Sequence, residues 1–261
     1  MTRLQIIGGG RMGEALVGGV LAAKWADATD VRIVEAVEGR RAELRATFPG
    51  VEVTDSPAPS DGTIVATKPA GIAAATTAAT AAGGGRILSI AAGVTLAQLE
   101  AAAGPGVPVV RAMPNTPALI RSGATAISGG SAASDEDLDW AESLLGAVGV
   151  VVRVTESQLD AVTGLSGSGP AYVFLVAEAL IDAGVAAGLP RDLATVLANQ
   201  TLLGSARLLS DGTPPAELRA AVTSPGGTTA AGVQVLERAA VRAAVVDAVA
   251  AARDRAVELS S

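Results

Sequence analysis

Cysteine and histidine are both absent from the 261 residues of the chain. Their absence removes disulfides, thiolate nucleophiles, iron–sulfur and zinc–histidine sites, and every Ser-His-Asp or Cys-His mechanism. It also leaves no side chain whose ordinary pKa lies between about 5 and 8. Acid–base chemistry must come from a shifted group, a hydroxyl, water or the substrate itself. Aromatics are nearly as scarce, with only Trp25, Phe48, Trp140, Tyr172 and Phe174. The core must therefore be aliphatic. Lysine occurs only as Lys24 and Lys68. Basic residues number 19 against 26 acidic ones, a formal net charge of −7. That balance argues against nucleic acid or an anionic membrane surface as a partner.

What is present is apolar. Hydrophobic residues make up 49% of the chain and charged residues 17%, which excludes disorder and supports a sizeable core. The length suits one large domain or two ordinary ones. The opening segment has only a brief apolar run before glycines, unlike a secretory signal. The uncharged stretches 69–85 and 161–177 are broken by Pro, Gly, Ser or Thr, so neither reads as a membrane span. A cytoplasmic protein with no membrane partner is the expectation.

The chain divides in two, at 1–155 and 156–261. The first part alternates short apolar runs with helical stretches. Strands are expected over 4–7, 31–34, 64–67, 87–91 and 107–111, with helices over 12–23 and 38–46 and an Ala/Thr-rich helix before 87. Residues 123–153 read as strand, helix and strand, the helix starting at Ser134 with acids in its first turn. Alternation of this kind implies a parallel, doubly wound Rossmann-type sheet in an α/β domain. After 155 strands disappear, and helices are expected over 156–163, 170–187, 190–209, 214–221 and 229–258. In 170–187, Tyr172, Leu175, Val176, Ala179 and Ala183 share one face, while Phe174, Ile181 and Val185 fall roughly opposite. A helix apolar on two sides needs cover on two sides. Either its own domain supplies both, or a second copy of the chain supplies one.

Six stretches are candidates for chemistry. Gly8-Gly9-Gly10-Arg11-Met12-Gly13 is a G-x-G-x-x-G between the first strand and the first helix. Gly8 suits the tight turn, Gly10 the approach of a pyrophosphate, and Gly13 close packing of the helix on the sheet. The helix N-terminus then offers free N–H groups and a partial positive charge to the phosphates. Glu35, at the end of the second strand, sits where an acid takes a ribose 2′-hydroxyl and favours NADH over NADPH. Arg40 and Arg41, one turn later, are placed to hold a 2′-phosphate instead. Lys68 follows a sheet strand and points to the cofactor crevice, or snorkels at the surface. Arg111-Ala-Met-Pro-Asn115-Thr-Pro117 is a proline-stiffened loop in which Asn115 offers a donor and an acceptor, or is simply a sharp turn. Ser166-Gly-Ser-Gly169-Pro170 is a flexible stretch ending at a helix start. Thr223-Ser224-Pro225-Gly226-Gly227-Thr228-Thr229 also leads into a helix and forms a nest of N–H groups suited to a carboxylate. No set of residues suggests a metal site.

Together these residues resemble the pyrroline-5-carboxylate reductase family, which completes proline biosynthesis. The resemblance runs over nearly the whole chain. It includes Ile6 to Gly13, Lys68-Pro69, Ser89-Ile90-Ala91-Ala92-Gly93, Met113 to Pro117, Leu165 to Tyr172 and Glu178 to Val185. Its most specific part is Leu218 to Gly232. The resemblance implies a Rossmann domain followed by an all-helical dimerisation and substrate-binding domain, so a homodimer at least, with dimers assembling further, up to a decamer. It implies hydride transfer from NADPH or NADH to the C=N bond of 1-pyrroline-5-carboxylate, giving L-proline. Gly8, Gly10, Arg11, Met12, Gly13, Lys68, Asn115 and Pro117 match the family's cofactor site, and Glu35 falls at its ribose position. Ser224, Gly226, Gly227, Thr228 and Thr229 match its substrate loop, contributed by the partner subunit. The counterpart of Thr229 lies close to the ring nitrogen and is the catalytic candidate. One departure stands out: many members carry small polar or basic residues where this chain has Glu35.

A cyclic imine can arrive already protonated, so the missing histidine is no obstacle. Three other readings remain. A 3-hydroxyacid dehydrogenase would need a lysine in its second domain, which this chain lacks. A deazaflavin reductase using NADP fits the N-terminal half alone. A non-catalytic dinucleotide sensor would bind but not turn over.

Overall fold

The computed structural model describes residues 2–260. Eight strands form one sheet in the order β3-β2-β1-β4-β5-β6-β7-β8. In chain order, β1 (Thr2–Ile7) leads into α1 (Arg11–Ala22), β2 (Val31–Val34) into α2 (Glu38–Thr47) and β3 (Glu52–Thr54). β4 (Ser60–Val65) is followed by α3 (Ile72–Ala81), β5 (Gly84–Ser89), α4 (Leu96–Ala103) and β6 (Val109–Met113). The first six strands pair in parallel. Their order reverses between β1 and β4, the switch point at which open sheets of this kind form a ligand crevice beyond the carboxyl ends of the strands.

The sheet is not parallel throughout, as the alternating pattern suggested. β7 (Gly123–Gly129) runs antiparallel to β6, and β8 (Gly149–Arg153) runs parallel to β7 after α5 (Asp135–Leu145). The reason is the short link 114–122, which holds only a single 3₁₀ turn, Thr116–Ile120. A parallel crossover needs roughly a dozen or more residues. Two aliphatic layers bury the sheet. Leu4 and Ile6 meet Leu16, Val17 and Val20 of α1 and Leu144 and Leu145 of α5 on one side. Ile7, Val65 and Ile87 meet Ile72 and Ala79 of α3 and Leu96 and Leu99 of α4 on the other. Each fully buried Leu or Ile contributes about 1.5–3 kcal/mol, and Trp25, Phe48 and Trp140 pack against this aliphatic core without being fully buried.

Several boundaries differ from expectation. β4 ends at Val65 and β5 at Ser89, so Thr67 and Ala91 lie in loops at the crevice rather than in strands. β3 and α4 were not expected. α4 carries a capping box, Thr95 with Gln98, that the sequence displays. The strand–helix alternation ends with β8 at Arg153.

The rest is helical. α6 (Leu159–Val162) runs into a π turn, Thr163–Gly167, and then α7 (Gly169–Ala186). α8 (Arg191–Ser210), α9 (Pro215–Ala221), α10 (Thr228–Arg238) and α11 (Val241–Ser260) follow. The single helix expected over 229–258 is two helices. The chain turns at Ala240, whose φ is +56°. The Ala240 N–H donates to the Glu237 carbonyl at 3.1 Å, and Arg242 grips the Glu237 carboxylate with two nitrogens. That contact holds the Glu237 carboxyl below the usual carboxylate range. Neither Gly nor Pro marks this break, so the sequence pattern passes through it.

Contacts divide the chain into two compact units. One comprises the residues up to Ser168 and the segment from Ala250 onward, and the other is Gly169–Val249. Within the second, α7 packs on α8, with Gly184 admitting Ala194 at close range. No residue of α7 is buried in the single chain. Phe174 is 62% exposed and Leu175 65%. The helical run Glu156–Ala186 is long and apolar enough to cross a bilayer by length and composition alone, although the π turn and Pro170 interrupt it.

Candidate active site

The crevice is built by the loop between β1 and α1. The Gly8 N–H donates to the Val34 carbonyl at 2.9 Å, closing the loop onto β2. Gly8 takes a φ of +111°, and a Cβ there would come within 2.7 Å of the Ala66 carbonyl oxygen. A Cβ at Gly13 would run into the Gly8 carbonyl. Both positions therefore need glycine. Gly10 differs, because a Cβ there would meet nothing within 4 Å. The space over Gly10 is open. No side chain caps α1, whose first backbone bond is from the Glu14 N–H to the Gly10 carbonyl. The N–H groups of Arg11, Met12 and Gly13 are left for an anion. An open cradle of donors over a glycine fits the diphosphate of a dinucleotide.

Glu35 lies just past β2, and its carboxylate is anchored at both oxygens. Oε2 accepts the Gly9 N–H and Oε1 the Val37 N–H, each at 2.9 Å. Arg40 donates to the Gly9 carbonyl at 2.8 Å and pairs with Glu14 and Glu43. Those two carboxylates, Glu43 first, raise its pKa further. Arg41 is buried and spends its guanidinium on the Glu35 and Ala36 carbonyls and on Glu38. The Arg41 contact holds Glu38 below the usual carboxylate range. The three residues that were candidates for reading the cofactor's 2′ position thus form one cluster, and both arginines are already committed within it.

On the other side of the crevice, Lys68 is exposed, just before the 3₁₀ turn Pro69–Gly71. The Thr67 hydroxyl is buried without a partner. Asn115 follows β6. Its Oδ1 accepts the Ala124 N–H at 2.9 Å, and its Nδ2 donates to the Ser166 carbonyl at 3.0 Å. Pro117 lies in the 3₁₀ turn that follows.

The glycine loop 223–229 belongs to the second unit. Gly226 has a φ of +70°, and the Gly227 N–H donates to the Ser224 carbonyl at 3.0 Å. A Cβ at Gly227 would collide with the Ser224 hydroxyl. Gly227 itself is the N-cap of α10, with no side chain capping the helix. Thr228 and Thr229 are its first two residues, exposed beside uncapped N–H groups. Free main-chain N–H groups of this kind are ones to which a carboxylate can bind.

Two residues inside the motifs make structural contacts that the motifs do not announce. Arg111, buried in β6, bonds Glu156 at 2.9 Å and approaches Asp160 at 3.9 Å. The same Glu156 oxygen accepts the Leu96 N–H. An arginine within an apolar strand was the available signal. Gly9 was only a filler in the fingerprint, yet its N–H is what orients Glu35. Among the described residues no group of acids forms a metal site.

Comparison with known proteins adds the family. Residues 156–259 match the model for pyrroline-5-carboxylate reductase dimerisation, and residues 3–93 the model for coenzyme F420-dependent NADP oxidoreductases. The pyrroline-5-carboxylate reductase of Corynebacterium melassecola is 41% identical, covering 99% of both chains. That of Mycobacterium tuberculosis is 42% identical over 99% of this chain and 97% of its own. Among solved structures, a pyrroline-5-carboxylate reductase from Coxiella burnetii superposes with a TM-score of 0.93 at 34% identity, covering 100% of this chain and 99% of that one. A Plasmodium falciparum pyrroline carboxylate reductase with NADP bound gives 0.84 at 27% identity, covering 100% and 98%.

Proposed function

Because the chain belongs to the pyrroline-5-carboxylate reductase family, we propose that it reduces 1-pyrroline-5-carboxylate to L-proline by hydride transfer to the C=N bond, the final step of proline biosynthesis. It is an oxidoreductase with a Rossmann domain and a helical dimerisation domain. The single observation that carries the cofactor half is the open, uncapped donor cradle at Gly10 to Gly13. A bound reduced nicotinamide supplies the hydride.

The chain's own residues bind and orient. Gly10, Arg11, Met12 and Gly13 hold the diphosphate through main-chain N–H groups, and the loop with Asn115 and Pro117 lines the nicotinamide end. Lys68 stands at the crevice edge as a cation toward the cofactor. Ser224, Gly226, Gly227, Thr228 and Thr229 hold the substrate carboxylate. In so small a ring the nitrogen is bonded to the carbon that bears this carboxylate. The Thr229 hydroxyl is therefore within reach of the nitrogen and orients the iminium N–H. The substrate brings its own proton, so the N–H survives as the proline amine and no histidine is needed. Positioning of two bound partners is worth up to about 7–11 kcal/mol.

Glu35 favours NADH. Its anchored carboxylate faces the ribose position, and the arginines that would neutralise a 2′-phosphate are held by carbonyls and by Glu14, Glu38 and Glu43. The NADPH reading draws on the bound NADP of the Plasmodium relative. The uncovered apolar faces of α7 support a homodimer, with assembly of dimers up to a decamer as its extension, and not a membrane span. A cytoplasmic location fits this biosynthetic role. Loss of nicotinamide absorbance on adding 1-pyrroline-5-carboxylate, measured with both cofactors, tests the reading. Neither cofactor being oxidised would refute it, and a higher kcat/KM with NADPH would overturn the preference.

A further inference from the structure

We propose that Asn115 is a positioning residue that locks the loop lining the nicotinamide pocket to the last turn of chain before α7, rather than a residue that touches the cofactor. The inference rests on the reductase reading above.

Pro170 makes the first link. In a continuous helix the Ser166 carbonyl would accept the N–H of residue 170, and proline has none. The chain adapts by widening into the π turn, where the Ser168 N–H reaches back to the Thr163 carbonyl at 2.8 Å. Single π turns of this kind are frequent at functional sites. The Ser166 carbonyl is thereby left needing a donor from elsewhere. Asn115 Nδ2 supplies it at 3.0 Å, from 51 residues away.

The other end of the same amide is also spent. Oδ1 takes the Ala124 N–H at 2.9 Å, at the start of β7. Both partners are main-chain groups, one a donor and one an acceptor, so the amide orientation is fixed. The carboxamide's acceptor oxygen and its donor nitrogen are thus both engaged inside the chain. Side-chain packing repeats the connection next door: a Cβ at Gly167 would lie 2.6 Å from Met113 Cε, so Met113 rests on that glycine. Upstream of each segment, Arg111 of β6 pairs with Glu156, seven residues before the π turn. The loop from Met113 to Pro117 is therefore registered against residues 163–167, and α7 begins at Gly169. An aspartate would keep the acceptor and turn a second oxygen toward the Ser166 carbonyl. A serine is too short to reach both partners.

The test is a cycle between positions 115 and 170, read by catalysis and by stability together. Asn115→Asp should lower kcat on the order of tenfold or more, as small misplacements of reacting groups do. The dissociation constant for NADH or NADPH, followed by nicotinamide fluorescence, should hardly change. The deuterium isotope effect on kcat should rise as hydride transfer becomes limiting. Pro170→Ala, added to Asn115→Asp, returns an N–H to the Ser166 carbonyl. It should recover melting temperature without recovering kcat. If Asn115→Asp fails to fold, Asn115→Ser removes the clamp without adding charge and takes its place. Wild-type kcat in a folded variant would overturn the proposal, as would a loss confined to cofactor affinity. Recovery of kcat along with melting temperature would reduce Asn115 to a structural residue. Were the wild type inactive toward 1-pyrroline-5-carboxylate, the reductase reading would fail separately. The melting-temperature cycle would still report whether the amide and Pro170 share the Ser166 carbonyl.

Discussion

Glu35 serves two ends with one carboxylate. It receives the Gly9 and Val37 N–H groups, so it shapes the fingerprint loop as well as the proposed ribose pocket. Removing it should have two effects that separate in kinetics. In Glu35→Ser the repulsion of a 2′-phosphate disappears, and the NADPH/NADH ratio of kcat/KM should rise. Both cofactors should also bind more weakly, because the loop loses charge-assisted bonds worth roughly 1.5–3 kcal/mol. An unchanged ratio, with both affinities reduced, would leave Glu35 a loop anchor only. Thr229 poses the opposite case, since its hydroxyl does not cap α10. Thr229→Val should therefore leave melting temperature nearly unchanged. If the hydroxyl bonds the ring nitrogen more strongly in the transition state, kcat falls along with kcat/KM. A bond of about 1.5–3 kcal/mol corresponds to roughly a 10- to 150-fold loss. Full efficiency in the variant would remove Thr229 from the reaction.

Among the elements, α10 and α11 are instructive. Ala240 holds a left-handed conformation with φ of +56°, which costs an L-residue roughly 1–2 kcal/mol and glycine almost nothing. Ala240→Gly should recover about 1 kcal/mol of this, or roughly 2–4 °C in melting temperature. A fall in melting temperature would mean that α10 and α11 are one straight helix in solution. The sequence hides the break because alanine is the best helix former and the apolar period continues across it. The converse holds at α4, where the sequence displays the Thr95–Gln98 capping box but only eight residues of weak apolar period follow it. The fingerprint was the most legible element. A strand, three spaced glycines and a helix constrain one another locally, and Gly8 and Gly13 prove to be positions where a Cβ cannot fit.

At the scale of the whole molecule, Ala194 and Ala198 are the only buried residues among those described in the second unit. Val173, Phe174, Leu175 and Val176 of α7 are each half exposed or more. Exposed apolar area of this extent calls for a partner, and the family model matched over 156–259 is one for dimerisation, so a second copy of the chain is the proposed partner. Phe174→Asp places a charge in that interface. It should give monomers or insoluble protein, and the monomers should be inactive if the partner completes the site. A soluble, fully active monomer by light scattering and assay would refute the shared site.

Composition, period and motif spacing by themselves determined the class of this protein. They excluded histidine and thiol chemistry, placed a dinucleotide fingerprint after the first strand, separated a strand-rich half from a helical half, and carried the family resemblance. All of these are properties of neighbouring residues, and local sterics and periodicity express them directly. The tertiary structure decided what depends on residues far apart in the chain. It reversed β7, because a short link cannot make a parallel crossover. It committed Arg40 and Arg41 to main-chain carbonyls and to Glu14, Glu38 and Glu43, beside Glu35. It also brought Asn115 to a carbonyl that Pro170 leaves without a donor, 51 residues along the chain. A side chain's role is set by which unsatisfied group it meets on folding, and that pairing is written in no single stretch of sequence.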